Sequence, residues 1–274
     1  MASVFAPRVV TTESDFRVAL SMLKEIFTDP ADLETDETFW RCFRDPRIGR
    51  YYLYDLDGAC AGVSMVRIHP YVPHAMYGPY AGVLPEYRGF LTPEEAVRIN
   101  ETLMADLGVH TLLMDVEDPS RIGDAYPYED PARLALRCEL RLQFLQNWMG
   151  WTFIDDPELP YCRPRSGDPR QVQAYDLLGF YLRKPDDLRW RGTFNADRSA
   201  VSLDAYVRWY IELMQIEYGT SERAMTDDEL SDAYPAVRQF LDQVRAATDA
   251  GKHWVTLRDA TRANRDSQQP LTDD

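Results

Sequence analysis

Behind Thr12, apolar residues recur at helical spacing. Phe16, Ala19, Leu20, Leu23 and Phe27 fall on one face, which predicts a first amphipathic helix opened by a Thr12/Asp15 capping box. "DETFWRCF" predicts a short second helix. "RYYLYDL" and "ACAGVSMVRI" are strand-like runs joined by Asp57-Gly58, a strong hairpin signal. "HAMYGPYAGVL" is a further strand, and its Gly78-Pro79 pair predicts a bulge or splay instead of a regular ladder. From Pro93, Ala96, Ile99, Leu103 and Leu107 mark a helix that stops at Gly108. "HTLLMDVE" then reads as a strand, with Leu112, Met114 and Val116 on one side and Thr111, Asp115 and Glu117 on the other.

The turn-rich loop "DPSRIGDAYPYEDP" leads into a helix from Ala132 to Met149, expected to bury Leu134, Cys138, Leu145 and Trp148. "GWTFIDD" and "QAYDLLGFYLRKP" read as closing strands with a Pro-rich loop between them. Past Pro185 the pattern turns helical. "SLDAYVRWYIELMQIEYG" sets Leu203, Tyr206, Tyr210 and Met214 in register, and "DDELSDAYPAVRQFLDQVRAA" reads as two helices broken at Pro235. The aromatic stripe of the first of these suits core or dimer packing, or a pocket wall. The expected organisation is an α/β domain over residues 1–185 and a helical extension over 186–274, a lid or homodimerisation element with a frayed polar tail, "NRDSQQPLTDD".

Composition narrows the function classes. Acidic residues outnumber basic ones 45 to 30, so the average surface repels nucleic acid. No apolar run reaches the roughly 20 residues of a membrane span, and the start "MASVFAPRVVTTESDF" lacks a signal-peptide core, so a cytoplasmic location without membrane partners is expected. Cys42, Cys60, Cys138 and Cys162 lie far apart and read as free thiols. The four histidines show no metal-ligand spacing, and no metal is expected.

The order helix-helix-hairpin-strand-helix-strand-helix-strand-strand resembles the GNAT superfamily of acyl-CoA-dependent N-acyltransferases over roughly residues 8 to 184. "GVLPEYRG" looks like that family's fourth strand and pyrophosphate loop, "MGWTFID" its step from the fourth helix to the sixth strand, and "AYDLLGFYLRKP" its closing strand. "MDVEDP" and "LPYCRP" look like a bacterial GNAT-like subgroup. The resemblance implies a mixed, mostly antiparallel sheet flanked by helices. It also implies a loop of the form R-x-x-G-x-G/A that wraps a diphosphate with backbone N–H groups at a helix N-terminus.

Arg88 and Gly89 match that loop, but Leu91 and Pro93 stand where its small residues belong. Pro93 has no N–H, Thr92 with Glu95 reads as a capping box, and Glu94 and Glu95 bring negative charge of their own. Each acid favours the helix dipole by roughly 0.3–1 kcal/mol and repels a diphosphate. Two readings stay open: a self-capped helix, or a modified cradle of Arg88 with the amides of Gly89, Phe90 and Leu91.

Acyl transfer needs a base for the amine, a donor for the carbonyl oxygen and a home for the thiolate. Asp115 and Glu117, two carboxylates near the end of their strand, are the expected bases, ahead of His74 and Glu86. The resemblance places the oxyanion donor on a splayed fourth strand, around Gly82 and Val83. The family's leaving-group tyrosine is replaced by Gln146, which leaves Tyr80, Tyr87 or Tyr161 for that role.

The leading expectation is therefore a GNAT-like N-acyltransferase that takes an acyl group from acyl-CoA, held atypically, to the amine of a small molecule. The alternatives are a transferase whose donor is aminoacyl-tRNA or an acyl carrier protein, and a non-catalytic binding protein on the same fold. An acidic carrier would need a basic patch such as Arg183 to Arg191, where Asp186 and Asp187 argue for a solvated linker.

Overall fold

A computed structural model describes residues 4–28, 33–122, 130–165, 168–174, 176–219 and 222–258. In chain order the first elements are β1 (Ala6–Val9), α1 (Glu13–Ile26), α2 (Asp36–Arg44), β2 (Gly49–Leu56), β3 (Ala59–His69), β4 (Val72–Val83), α3 (Pro93–Leu107) and β5 (Thr111–Glu117). Then come α4 (Pro131–Met149), β6 (Thr152–Phe153), β7 (Arg163–Arg165), β8 (Asp168–Gln173) and β9 (Asp176–Leu182). The last are β10 (Ala200–Ser202), α5 (Leu203–Tyr218), α6 (Asp227–Ala233), α7 (Pro235–Asp249) and β11 (Trp254–Thr256). The chain divides into two compact units, one of Met1–Met114, Leu182–Lys184 and Ile211–Glu229, the other of Asp115–Tyr181, Pro185–Tyr210 and Leu230–Asp274.

Local chemistry sets the elements of the first unit. Thr12 caps α1 by accepting from the Asp15 N–H at 3.1 Å. Asp57 and Gly58 turn the β2–β3 hairpin with φ of 49° and 85°, the left-handed geometry a two-residue hairpin requires. The strands run in the order β1-β2-β3-β4-β5, antiparallel except for the β4–β5 pair. Phe16, Ala19 and Leu23 of α1, with Phe39 and Cys42 of α2, pack on Tyr51, Leu53, Val63, Met65 and Tyr80 of this sheet. Burying each of the larger of these side chains contributes roughly 1.5–3 kcal/mol.

In the second unit β9 pairs antiparallel with β6, β7 with β8, and β10 with β11. The aromatic stripe of α5 is core: Tyr206, Trp209 and Tyr210 are fully buried, with Tyr210 stacked on Phe240 at 3.7 Å and Trp209 against Phe180 at 4.2 Å. Pro235 opens α7, where its missing N–H costs nothing. The architecture is mixed α/β with a mostly antiparallel central sheet flanked by helices and followed by further helices. It is the arrangement that the GNAT resemblance implies.

The structure also departs from the sequence pattern. The expected Pro-rich loop contains the β7–β8 hairpin, and β10–β11 lies in the segment read as helical. Trp148, expected inside, is 62% exposed. The tail "NRDSQQPLTDD" and the middle of the "DPSRIGDAYPYEDP" loop lie outside the described residues.

Candidate active site

The bulge expected at Gly78-Pro79 is present. Met65 pairs with Tyr80 and Arg67 with Tyr77, so β4 advances three residues while β3 advances two. The parallel ladder to β5 registers Ala75–Tyr77 with Thr111–Leu113, so it covers β4 up to the residue before Gly78. The Leu84 N–H donates to the Ala61 carbonyl at 2.9 Å, and this fixes the alternation along the end of β4. Gly82 directs its main chain toward Val63 of β3, whereas Val83 directs its own toward the opposite edge, where the Arg88 Nε donates to its carbonyl at 3.3 Å. Glycine at 82 serves packing, because a Cβ there would stand 2.6 Å from Ile26 Cγ2.

Pro85–Phe90 forms a 3₁₀ turn, a geometry that spends amides on i→i+3 bonds. The Tyr87 N–H donates to Leu84 O at 2.9 Å and the Leu91 N–H to Arg88 O at 3.3 Å. At the start of α3, the Glu95 N–H donates to Thr92 Oγ1 at 3.2 Å and Pro93 has no N–H. The Glu95 carboxylate accepts from the Phe5 N–H at 3.3 Å and from Arg98 Nη2 at 2.6 Å, and Arg98 also donates to the Phe5 carbonyl. Arg98 holds the Glu95 carboxyl below its ordinary range. The Glu95 carboxylate is thus tied to Arg98 and to the N-terminal segment. Arg88 and Phe90 are exposed, and a Cβ on Gly89 would meet nothing within 4 Å, so the turn has open space in front of it. Of the amides around it, that of Leu91 is taken by the Arg88 carbonyl and that of Glu95 by Thr92, and Pro93 has none.

The carboxylates at the end of β5 belong to a larger cluster. Arg163 Nε lies 2.9 Å from Asp115 Oδ2 and 2.9 Å from Asp176 Oδ2, and Gln173 Nε2 donates to the same Asp176 oxygen at 2.5 Å. One guanidinium therefore faces two carboxylates. Burial, with the charges of Asp115 and Glu117, pushes the Asp176 carboxyl up to about 6 against the pull of Arg163. Glu117 accepts from Arg141 Nη1 at 2.6 Å. Its side chain is 24% exposed against 9% for Asp115 and 4% for Asp176, so Glu117 is the carboxylate of this group that reaches solvent.

Other residues singled out by the sequence lie elsewhere. Tyr80 is buried, accepts from the Glu34 N–H at 3.1 Å and packs edge-on to Phe27 and Phe39. Burial raises its phenol further above neutrality. His74 Nε2 lies 2.6 Å from Glu212 Oε1, on the part of β4 that precedes the parallel ladder. Gln146 Nε2 donates to the Arg258 carbonyl at 3.2 Å, and Tyr161 is buried. Arg163, Gln173 and Asp176 escaped the sequence reading. The available signal was an isolated acid at the head of the apolar run "DLLGF".

All four cysteines are free thiols, and burial pushes the Cys162 thiol up to about 12. Among the described residues no cluster of three or more His, Cys, Asp or Glu is arranged to hold a metal, and no helix is long and apolar enough to cross a membrane.

No family model and no curated protein matches the chain. Solved structures do resemble it. A candidate acetyltransferase of the GNAT family from Bacteroides thetaiotaomicron is 17% identical, covering 78% of this chain and 99% of its own, with a TM-score of 0.49. Spermidine N-acetyltransferase from Vibrio cholerae, solved with CoA and spermine, is 12% identical over 65% of this chain and 95% of its own, with a TM-score of 0.40. IAA acetyltransferase from Bacillus cereus is 15% identical over 65% and 99%, with a TM-score of 0.37. Likenesses this distant bear on neither activity nor substrate.

Proposed function

We propose that the chain is an acyltransferase that moves an acyl group from a thioester donor to the amine of a small molecule, with Glu117 as the base. The observation that carries this reading is the Asp115–Arg163–Asp176 cluster, which fixes the end of β5 and leaves Glu117 at the surface. Two acids around one cation leave local negative charge, and Glu117 with Arg141 adds none to cancel it. An ammonium group is drawn to such a site and an anionic acceptor is repelled.

In this scheme the ammonium gives a proton to Glu117 and its lone pair attacks the thioester carbonyl. The N–C bond forms, the C–S bond breaks, and the departing thiolate takes the second proton that the nitrogen sheds, so that amide and thiol are the products. Tyr80 is left out of the scheme because its hydroxyl is held in the core. Arg141 orients Glu117, and Arg163 orients the strand beneath it.

The test is thiol release from acetyl thioesters in the presence of a panel of primary amines and polyamines. Glu117→Gln should lower kcat by about 10²- to 10⁴-fold and leave the donor KM in place. Full activity in that variant removes Glu117 as base. No release with any amine removes acyl transfer and favours a binding protein on the same fold.

A further inference from the structure

Helix α4 is apolar on two faces. Leu134, Cys138, Leu142 and Leu145 are buried. On another face Leu136, Leu140, Phe144 and Trp148 recur every fourth residue and are 60%, 56%, 39% and 62% exposed. Four large apolar side chains in one row form a contiguous exposed patch, which marks an interaction site where scattered single residues do not. Arg133, Arg137 and Arg141 run beside them at the same spacing. The one acid in the helix, Glu139, is taken by Arg258 Nη2 at 2.6 Å. On a chain of net charge −15, α4 is thus a basic and apolar band.

We infer that this band docks an acidic amphipathic helix of a carrier protein, and that the acyl donor arrives as a thioester on that carrier's phosphopantetheine arm. The inference rests on the acyl-transfer reading and names its donor class. Two separate observations meet in it. Around the turn before α3 the Leu91 and Glu95 amides are already taken and Pro93 has none, and a carrier-borne arm, joined through a single phosphodiester, has no diphosphate to seat. The face of α4 supplies the apolar row and the cations that an acidic helix recognises. Arg141 links the band to the candidate base, since it also holds Glu117.

Other occupants suit the band less well. Antiparallel two-fold pairing of α4 with a second copy would set each arginine row beside its own counterpart. The sequence after Arg258, "DATRANRDSQQPLTDD", offers only Ala260, Ala263 and Leu271 as aliphatic residues, too few to cover the row. A flat anionic membrane would face the whole acidic chain, whereas an acidic helix presents its charge only along the band.

The experiment is fluorescence anisotropy of a labelled acyl carrier protein, apo and acetyl-loaded, titrated with the full chain, with a parallel thiol-release assay using free acetyl-pantetheine. The expected result is saturable binding of both forms, weakened at least about tenfold by R133E/R137E and by L140S/F144S and kept in R133K/R137K. All variants should retain the wild-type melting curve and the wild-type rate on acetyl-pantetheine. Absent binding overturns the inference, as does binding indifferent to both double variants. So does a row occupied instead by anionic vesicles or by a second copy, seen by flotation or light scattering and lost in L140S/F144S. Docking is read without turnover: intact binding with no transfer from any donor defeats the acyl-transfer reading, while transfer without binding defeats only the docking.

Discussion

Asp176→Asn and Arg163→Met should move stability in opposite directions. In the native chain Arg163 stands 2.9 Å from each of two carboxylates, with side-chain exposures of 12% for Arg163, 9% for Asp115 and 4% for Asp176. The Asp176 carboxyl rises from its ordinary 3.8 to about 6, chiefly through burial. At 1.36 kcal/mol per pH unit that rise is worth roughly 3 kcal/mol. The folded chain therefore binds more protons than the unfolded chain between these two values. This group's contribution to stability is fully present below 3.8 and is lost as pH climbs through about 6.

Asparagine keeps the shape and the oxygen to which Gln173 donates, and leaves Arg163 its ion pair with Asp115. The variant should be as stable as the native chain or more so at neutral pH, by up to about 3 kcal/mol, with a flatter profile between about pH 4 and 6.5. Arg163→Met leaves two buried acids facing each other and should cost about 3–5 kcal/mol at neutral pH, less in acid. Urea unfolding followed by tryptophan fluorescence across this range measures both. An Asp176→Asn variant that loses more than about 2 kcal/mol and keeps the native pH slope would refute the two-acids-one-cation analysis.

Gly82→Ala should cost about 1–3 kcal/mol, because the new Cβ meets Ile26 at 2.6 Å, whereas Gly89→Ala should change stability by less than about 0.5 kcal/mol, since its Cβ meets nothing; urea midpoints distinguish them. Thr92→Ala removes the acceptor of the Glu95 N–H and should cost about 0.5–2 kcal/mol by the same measurement. If the freed amide then admits a diphosphate, calorimetry should show this variant binding CoA more tightly than the native chain.

Signals carried by neighbouring residues were legible in the sequence: the Thr12 cap, the Asp57-Gly58 hairpin, the Gly78-Pro79 bulge and the Thr92 cap of α3. Signals that depend on distant partners were not. Trp148 was misplaced because α4 carries apolar rows on two faces, and periodicity alone does not say which row faces the core. Pro164 and Pro169 disguised β7–β8, and the three-residue strands β10 and β11 are shorter than any pattern window. Within the candidate site, Asp115 and Glu117 could be named from strand alternation. Their setting could not, since Arg163 and Asp176 come from strands far along the chain and only folding places them around Asp115.

The most direct measurement is the ratio of kcat/KM for acetyl-CoA to that for acetyl-pantetheine, read as thiol release with a responsive amine. With the Leu91 and Glu95 amides taken internally and no N–H on Pro93, the ratio should lie within about threefold of one. A preference for acetyl-CoA of a hundredfold or more, about 2.7 kcal/mol, would show that the diphosphate is held after all and would contradict this view of the turn.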